Sequence, residues 1–232
     1  MDRSVSLSTY TLPPLVPLTR RGLRLTFRAL FRVFARVRVT GMENVPAQGP
    51  YVLAFNHVSY FDPPVIVAFW PDFPEVVGAD YLWKHALMSF FAKAYGGIPI
   101  RRGEVDRNAL ERIMLALRNR LPVMIAPEGT RSHEPGMKQG KPGIVYLIER
   151  THAPVVPVGI VGTTDSFLKR ALSGGRPNIE MRIGTAFQLP EVNDPTLAPK
   201  EIRQKKVDAI MEHIAALLPV EYRGVYAGTN TE

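Results

Sequence analysis

The chain has 232 residues, 46% of them hydrophobic, a net charge of +8 and no cysteine. This length suffices for one full-sized domain with a substantial core, so a second domain is not required. The lack of cysteine excludes disulfides, cysteine-based metal sites and a cysteine nucleophile. The N-terminus has no clean apolar segment after a basic start, so we predict no secretory signal.

The positive charge is concentrated near the N-terminus, where residues 1–41 hold eight arginines and one acidic residue. Apolar residues recur here at helical spacing, at Leu23, Phe27, Leu30, Phe34 and Val37. Arginines repeat every four residues on another face, at Arg20, Arg24, Arg28, Arg32 and Arg36. This pattern predicts an amphipathic helix from about residue 19 to 36.

A basic helix with phenylalanines in its apolar stripe is typical of a membrane interface. The stripe packing on the domain's own core is the alternative. Nucleic acid is disfavoured because the chain has no zinc-finger, helix-turn-helix or RNA-binding signature. The most apolar segment, residues 51–70, is interrupted by polar residues and two prolines, so we predict no spanning helix. We expect a peripheral protein on the anionic, cytoplasmic face of the cell membrane.

The remaining elements alternate along the chain. We predict strands at 37–40, 51–55, 76–77, 98–100, 122–126, 155–160 and 179–183, and helices at 81–93, 104–119, 143–149 and 199–218, with a short one from 63. Such alternation predicts a single α/β domain with a mainly parallel central sheet flanked by helices. We divide the chain into a basic arm (1–37), the domain (38–218) and a tail (219–232) that we expect to be irregular.

A histidine and an aspartate follow the apolar strand at 51–55. The strand stops at His57, and the next helix starts at Asp62, just before two prolines. Both side chains then lie in one turn at the end of a strand, where open α/β sheets bind ligands. A carboxylate beside an imidazole fixes its tautomer and makes it a general base for a hydroxyl. Alternatively, Asp62 only caps the helix and His57 is a loop histidine.

Three more segments follow in order: GIPIRR at 97–102, APEGTRS at 126–132 and VVPVGI at 155–160. Together with the His57 turn they resemble the four sequence blocks of the glycerolipid acyltransferase family, of the 1-acylglycerol-3-phosphate acyltransferase type. That family's first block is an HxxxxD motif, and its third is a Pro-Glu-Gly-Thr-Arg-Ser run. The resemblance covers about residues 39–184.

The resemblance implies roles for individual residues. It implies that the catalytic pair is His57 and Asp62, and that the substrate-binding residues are Arg102, Glu128, Gly129, Thr130 and Arg131. The two arginines would bind the acceptor's phosphate. Weaker candidates are Asn56, Lys84, Arg101 and Lys138. Glu128 has a second possible role, as a support that holds one of the arginines. For Arg101 we favour a surface ion pair with an acid such as Glu104.

The implied function is acyl transfer from acyl-CoA or an acyl carrier protein to the hydroxyl of a lysophospholipid, with 1-acylglycerol-3-phosphate as the expected acceptor, in phospholipid biosynthesis. A thioester is already activated, so the enzyme need not form a covalent intermediate. We expect no cofactor besides the acyl donor, and the histidines lack metal-site spacing. No Gly-x-Ser-x-Gly elbow is present, which argues against a serine hydrolase. The alternatives are a glycerol-3-phosphate or glycolipid acyltransferase and a non-catalytic lipid-binding membrane protein. Binding alone would not need a base, which counts against the last.

Overall fold

The computed structural model describes residues 9–103 and 105–228. Its centre is a seven-stranded sheet with the order β1-β7-β6-β2-β5-β3-β4. The strands are β1 Arg36–Thr40, β2 Val52–Phe55, β3 Glu75–Ala79, β4 Ile98–Ile100, β5 Val123–Ile125, β6 Val155–Val161 and β7 Asn178–Ile183. Neighbouring strands are parallel except β6 and β7. The prediction of a single α/β domain with a mainly parallel sheet is confirmed.

Helices cover both faces of this sheet. They are α1 Val16–Phe34, α2 Asp62–Phe69, α3 Ala86–Tyr95, α4 Arg107–Arg118, α5 Gly143–Thr151, α6 Phe167–Leu172, α7 Pro199–Ala216 and α8 Val220–Arg223. Helices α1, α2 and α6 share one apolar core, and α4, α5 and α7 share the other. In β2, Val52 and Ala54 face the second core while Leu53 and Phe55 face the first. Burial on both faces explains why this strand is apolar throughout.

The position of β2 determines where the His57 turn lies. Strands β5 and β6 pair with β2 on either side, and both run parallel to it. The carboxyl ends of parallel strands meet at one edge of the sheet. The residues after β2, β5 and β6 are therefore neighbours, although they come from three distant parts of the chain.

The C-terminal segment is more ordered than the sequence indicated. Residues 220–226 form α8 and a short 3₁₀ turn, and the rings of Tyr222 and Tyr226 are buried in the core under α7. The Tyr226 hydroxyl accepts the N–H of Gly140 and donates to Asp208. Two buried aromatic rings give this short segment enough apolar contact to pack. The division into arm, domain and tail stays a prediction, and residues 229–232 lie outside the described part.

Helix α1 is present, as predicted, but it is joined to the domain by a buried ion pair. Arg20 donates to both carboxylate oxygens of Glu75 over 2.8 Å, and both side chains are almost fully buried. The same carboxylate accepts the Tyr10 hydroxyl at 2.7 Å, and Arg20 Nε donates to the carbonyl of Tyr95. Glu75 begins β3. The arm and the sheet therefore share one polar network.

The prediction that the periodic arginines of α1 face a membrane is wrong for the first three. The side chains of Arg20, Arg24 and Arg28 point towards the domain. Besides Arg20, the guanidinium of Arg24 donates to the carbonyls of Pro71 and Asp72, and Arg28 donates to that of Ala68. These carbonyls lie at or just beyond the end of α2, where partial negative charge favours cations. The periodic spacing of the arginines thus reflects pairing with α2 and β3.

The solvent-facing side of α1 carries several apolar side chains beside the exposed Arg21 and Arg32. Leu18, Leu25 and Val33 are 67%, 66% and 61% exposed. Of the predicted stripe, Leu23 and Phe27 are half-buried, whereas Leu30 and Phe34 face solvent. No helix among the described residues combines the length and the apolar content that crossing a bilayer requires.

Breaking the Arg20 ion pair is expected to destabilise the protein strongly. Arg20→Ala leaves Glu75 buried without its countercharge, which costs about 3–5 kcal/mol. The neighbouring Arg21 is exposed, so Arg21→Ala should change the unfolding free energy by less than about 0.5 kcal/mol. Urea denaturation of both variants measures the difference. Equal stabilities would contradict the proposed role of the pair, and truncation of residues 1–37 should misfold for the same reason.

Candidate active site

The turn after β2 brings His57 and Asp62 into contact. His57 Nδ1 lies 2.8 Å from Asp62 Oδ2, and the carboxylate is fully buried. A carboxylate at Nδ1 favours the tautomer with its proton there, so Nε2 is left to accept a proton. The imidazole is partly exposed and meets the ring of Phe55 edge-on at 5.6 Å. One nitrogen is thus anchored, and the ring remains accessible.

Asp62 organises the turn rather than capping the helix. It is the first residue of α2, and its Oδ2 accepts the N–H groups of Val58 and Ser59, each over 2.8 Å. Its Oδ1 accepts the hydroxyl of Thr163 at 2.5 Å. With the His57 ring, four donors therefore satisfy this buried carboxylate. The alternative of a simple helix cap does not describe this geometry.

Glu128, after β5, supports the same turn from the other side. It is only 1% exposed, and its two oxygens accept the N–H groups of His57 and Lys138, each at 2.8 Å. Burial raises the pKa of the Glu128 carboxyl to about 7, against these backbone hydrogen bonds, and the charge of Asp62 adds to the rise. The sequence left open whether Glu128 supports other groups of the site. In the structure it does so, by accepting backbone N–H groups rather than by holding an arginine.

Asn56 joins the turn to β6. Its amide donates to the carbonyl of Ile160 and accepts the Ile160 N–H, at 2.9 and 2.7 Å. The buried side chain thus imitates a strand residue and extends the pairing of β2 with β6 by one step. Ser132 contributes on the other flank, where its N–H donates to the carbonyl of His57 at 2.8 Å. The backbone on both sides of the imidazole is fixed.

Arg131 and Arg102 lie on a pair of tyrosines. The Arg131 guanidinium is 3.4 Å from the ring centre of Tyr60, and that of Arg102 is 5.1 Å from the ring centre of Tyr81. Burial and a hydrogen bond with Tyr81 raise the pKa of the Tyr60 hydroxyl, and the charges of both arginines oppose the rise. The two cations therefore lie near one tyrosine pair, and Tyr60 belongs to the His57 turn.

The other predicted residues have varied surroundings. Arg101 is exposed and pairs with Asp106, whereas Glu104 lies outside the described residues. Lys138 is exposed, and its ammonium donates to the carbonyl of Arg131 at 2.8 Å. Gly129 has a φ of +67°, a left-handed turn in which a Cβ would lie 3.1 Å from Lys141. Thr130 is half-buried beside it, and Lys84 is exposed at the end of the turn that carries Tyr81.

Three residues of this site were missed by the sequence reasoning: Tyr60, Tyr81 and Thr163. Tyr60 stands inside the HxxxxD motif, so its position between His57 and Asp62 was the signal that could have identified it as a site residue. Tyr81 and Thr163 lie in no block and reach the site only through the fold. Among the described residues, no group of three or more His, Asp or Glu side chains is placed to hold a metal ion.

The fold is similar to a solved acyltransferase. A crystal structure of the 1-acyl-sn-glycerophosphate acyltransferase PlsC from Thermotoga maritima superposes with a TM-score of 0.62 at 20% identity, covering 89% of this chain and 83% of that one. At this identity the match supports the fold.

Curated relatives are named as acyltransferases too. The chain is 27% identical to a chloroplastic 1-acyl-sn-glycerol-3-phosphate acyltransferase of Arabidopsis thaliana over 56% of its own length and 37% of the relative's. It is 27% identical to the mouse 1-acyl-sn-glycerol-3-phosphate acyltransferase alpha over 72% and 58%. It thus spans less than two thirds of either relative. The family model described as acyltransferase matches residues 36–161, over half of the chain, so this protein belongs to the acyltransferase family.

Proposed function

We propose that this protein is an O-acyltransferase that moves a fatty acyl group from a thioester to the hydroxyl of a lysophospholipid, 1-acylglycerol-3-phosphate being the acceptor of first choice. The observation that carries the proposal is the His57–Asp62 pair, in which the carboxylate holds Nδ1 of the partly exposed imidazole, beside two arginines on a tyrosine pair. The names of the relatives support this acceptor. A glycerol-3-phosphate or glycolipid acceptor is the alternative within the class.

The chemistry requires a base but no covalent intermediate. His57 Nε2 accepts the proton of the acceptor hydroxyl while the oxygen attacks the thioester carbonyl. The tetrahedral intermediate then collapses and the carbon–sulfur bond breaks. The imidazolium returns its proton to the departing thiolate, so the products are an ester and a free thiol. Asp62 stabilises the imidazolium at Nδ1 throughout.

The acceptor's phosphate is proposed to bind Arg102 and Arg131. Arginine presents a planar fork that suits a phosphate. The ring of Tyr60 holds the Arg131 guanidinium beside the turn that carries His57, and the Arg131 side chain is largely buried. A phosphate bound there would place the rest of the acceptor next to the imidazole. The buried carboxylate of Glu128 accepts the backbone N–H groups of His57 and Lys138, so it would act on this site by holding those two residues in place.

The membrane surface is proposed to bind the solvent-facing side of α1. Helices α3 and α6, which contact α1 through aromatic rings, also expose apolar side chains: Leu87 and Phe90 on α3, and Leu168 and Leu172 on α6. Arg21, Arg32 and Arg36 are exposed and can reach anionic head groups, whereas Arg20, Arg24 and Arg28 cannot. Since α1 packs on α2, which begins at Asp62, this surface is directly joined to the His57 turn.

The acyl donor is proposed to be acyl-CoA or an acyl carrier protein, within phospholipid biosynthesis.

A thiol-release assay tests the proposed activity. The purified protein is given acyl-CoA or acyl carrier protein with lysophosphatidate, glycerol-3-phosphate or a lysoglycolipid, and both the thiol and the lipid product are measured. We expect release that depends on lysophosphatidate, that disappears in His57→Ala and falls severely in Asp62→Asn, since a general base contributes about 10²–10⁴-fold. Folded His57→Ala protein with near-normal turnover would refute the mechanism. No release with any pair would favour the lipid-binding alternative.

Replacing either Arg102 or Arg131 with Ala should weaken use of the acceptor far more than use of the donor. A charge-assisted hydrogen bond is worth about 1.5–3 kcal/mol, so kcat/KM for the acceptor should fall at least about tenfold. Arg150→Ala is the matched control, because Arg150 also lies over a tyrosine ring, at 5.5 Å from that of Tyr146. Equal losses for donor and acceptor at unchanged stability would assign the arginines to structure or to the donor.

Polar substitutions on the exposed face of α1 should release the protein from membranes. Leu18→Ser, Leu25→Ser and Val33→Ser are combined, and co-sedimentation with vesicles containing anionic lipid is measured at rising salt. Binding should fall strongly, while the unchanged arginines, at about 1 kcal/mol each, leave a residual that salt removes. Val220→Ser with Val225→Ser is the control, because these side chains are equally exposed on the C-terminal segment. Equal loss in both variants would exclude α1 as the membrane surface.

A further inference from the structure

We propose that Thr163 is a positioning residue for the His57–Asp62 pair; this inference rests on the proposed acyl transfer. Thr163 is fully buried two residues beyond the end of β6, and its hydroxyl donates to Asp62 Oδ1 at 2.5 Å. Among the described residues, the Thr163 hydroxyl is the one group that donates a hydrogen bond to Asp62 Oδ1. The residue lies outside all four sequence blocks.

The two carboxylate oxygens of Asp62 are held in different ways. Oδ2 accepts three N–H groups, from the His57 ring and from the backbone of Val58 and Ser59, all within the same short turn. Oδ1 is held by Thr163, which is 101 residues away in sequence. Rotation of the carboxylate about its bond to Cβ moves both oxygens, so the Thr163 hydrogen bond on Oδ1 adds to those on Oδ2 in resisting that rotation. Thr163 therefore ties the carboxylate to the loop after β6 and, through the carboxylate, helps to hold the direction of the imidazole.

The backbone before Thr163 is shaped to deliver its hydroxyl. Gly162 has a φ of +94°, and a Cβ there would lie 2.0 Å from the carbonyl oxygen of Asn178, so only glycine fits. The Gly162 N–H donates to the hydroxyl of Tyr222 at 3.1 Å. The chain thus leaves β6 by a left-handed turn that is braced by the C-terminal segment, and this turn aims Thr163 back at Asp62.

The neighbouring threonine provides a matched control. Thr164 is only half-buried, and its hydroxyl pairs with that of Ser166 at 3.0 Å on the surface. Thr164→Val and Thr163→Val make the same chemical change one residue apart. Only the second removes a donor from Asp62. A general effect of losing a threonine hydroxyl in this loop would appear in both.

The test is a series at residue 163 that grades the donor: Thr163→Ser keeps the hydroxyl, Thr163→Cys offers a weak S–H donor in a chain without other cysteines, and Thr163→Val has none. We expect kcat to fall in the order Ser, Cys, Val, by about tenfold or more at Val, with acceptor KM changed less than about twofold. Thr164→Val should match the wild type. If the Val variant does not fold, the Ser and Cys variants still give the order.

Proton NMR of the substrate-free protein supplies a readout that is independent of turnover. The Nδ1 proton of His57, assigned by its loss in His57→Ala, should shift or broaden in the Cys and Val variants and stay in place in Ser. Folded Cys or Val variants with wild-type kcat and resonance would overturn the proposal, as would a Ser variant as impaired as Val. If the resonance follows Thr163 while wild-type protein transfers no acyl group, the proposed function fails and the positioning role stands.

Discussion

The hydrogen bonds to the Asp62 carboxylate are the interaction on which the rest of the site depends. This group is buried at the start of α2, where an anion is stable only if donors replace the water it has lost. Two backbone N–H groups, the His57 ring and the Thr163 hydroxyl do so. Satisfying the carboxylate therefore folds the turn, orients the imidazole and ties β2 to the loop after β6. The hydrogen bonds that stabilise the turn are thus the same ones that would prepare His57 for its proposed role as a base.

The N-terminal helix α1 is attached to the domain by its arginines and also exposes apolar side chains, two roles that its sequence pattern does not separate. The spacing of its arginines is typical of a membrane-binding face. In the structure, however, Arg20 forms an ion pair with Glu75 inside the domain. Arg24 and Arg28 donate hydrogen bonds to carbonyls near the end of α2. The apolar residues that remain outside, such as Leu25, face solvent. Ion pairing and hydrogen bonds fix one side of α1 to the domain, so the proposed membrane attachment through its other side would not move this helix relative to the His57 turn.

Sequence reasoning found the features that depend on local spacing. The alternation of strands and helices predicted the α/β domain, and the His57–Asp62 spacing predicted the turn. It failed where the partner of a side chain is distant: the helical period of α1 could not reveal Glu75, which is 55 residues from Arg20. Thr163 was missed for the same reason. Helices α6 and α8 were missed because they are short and depend on buried rings, Phe167 and Tyr222, rather than on periodicity.

The wide sequence separation of these contacts also bears on the order in which the protein folds. Asn56, His57 and Asp62 are held by residues that lie 71 to 104 positions further along the chain. Such contacts form only after long loops have closed, so they belong to the later stages of folding. A partly folded chain therefore carries the HxxxxD motif without an oriented base. The reactivity towards thioesters that we propose would therefore be acquired only when β2, β5 and β6 have come together.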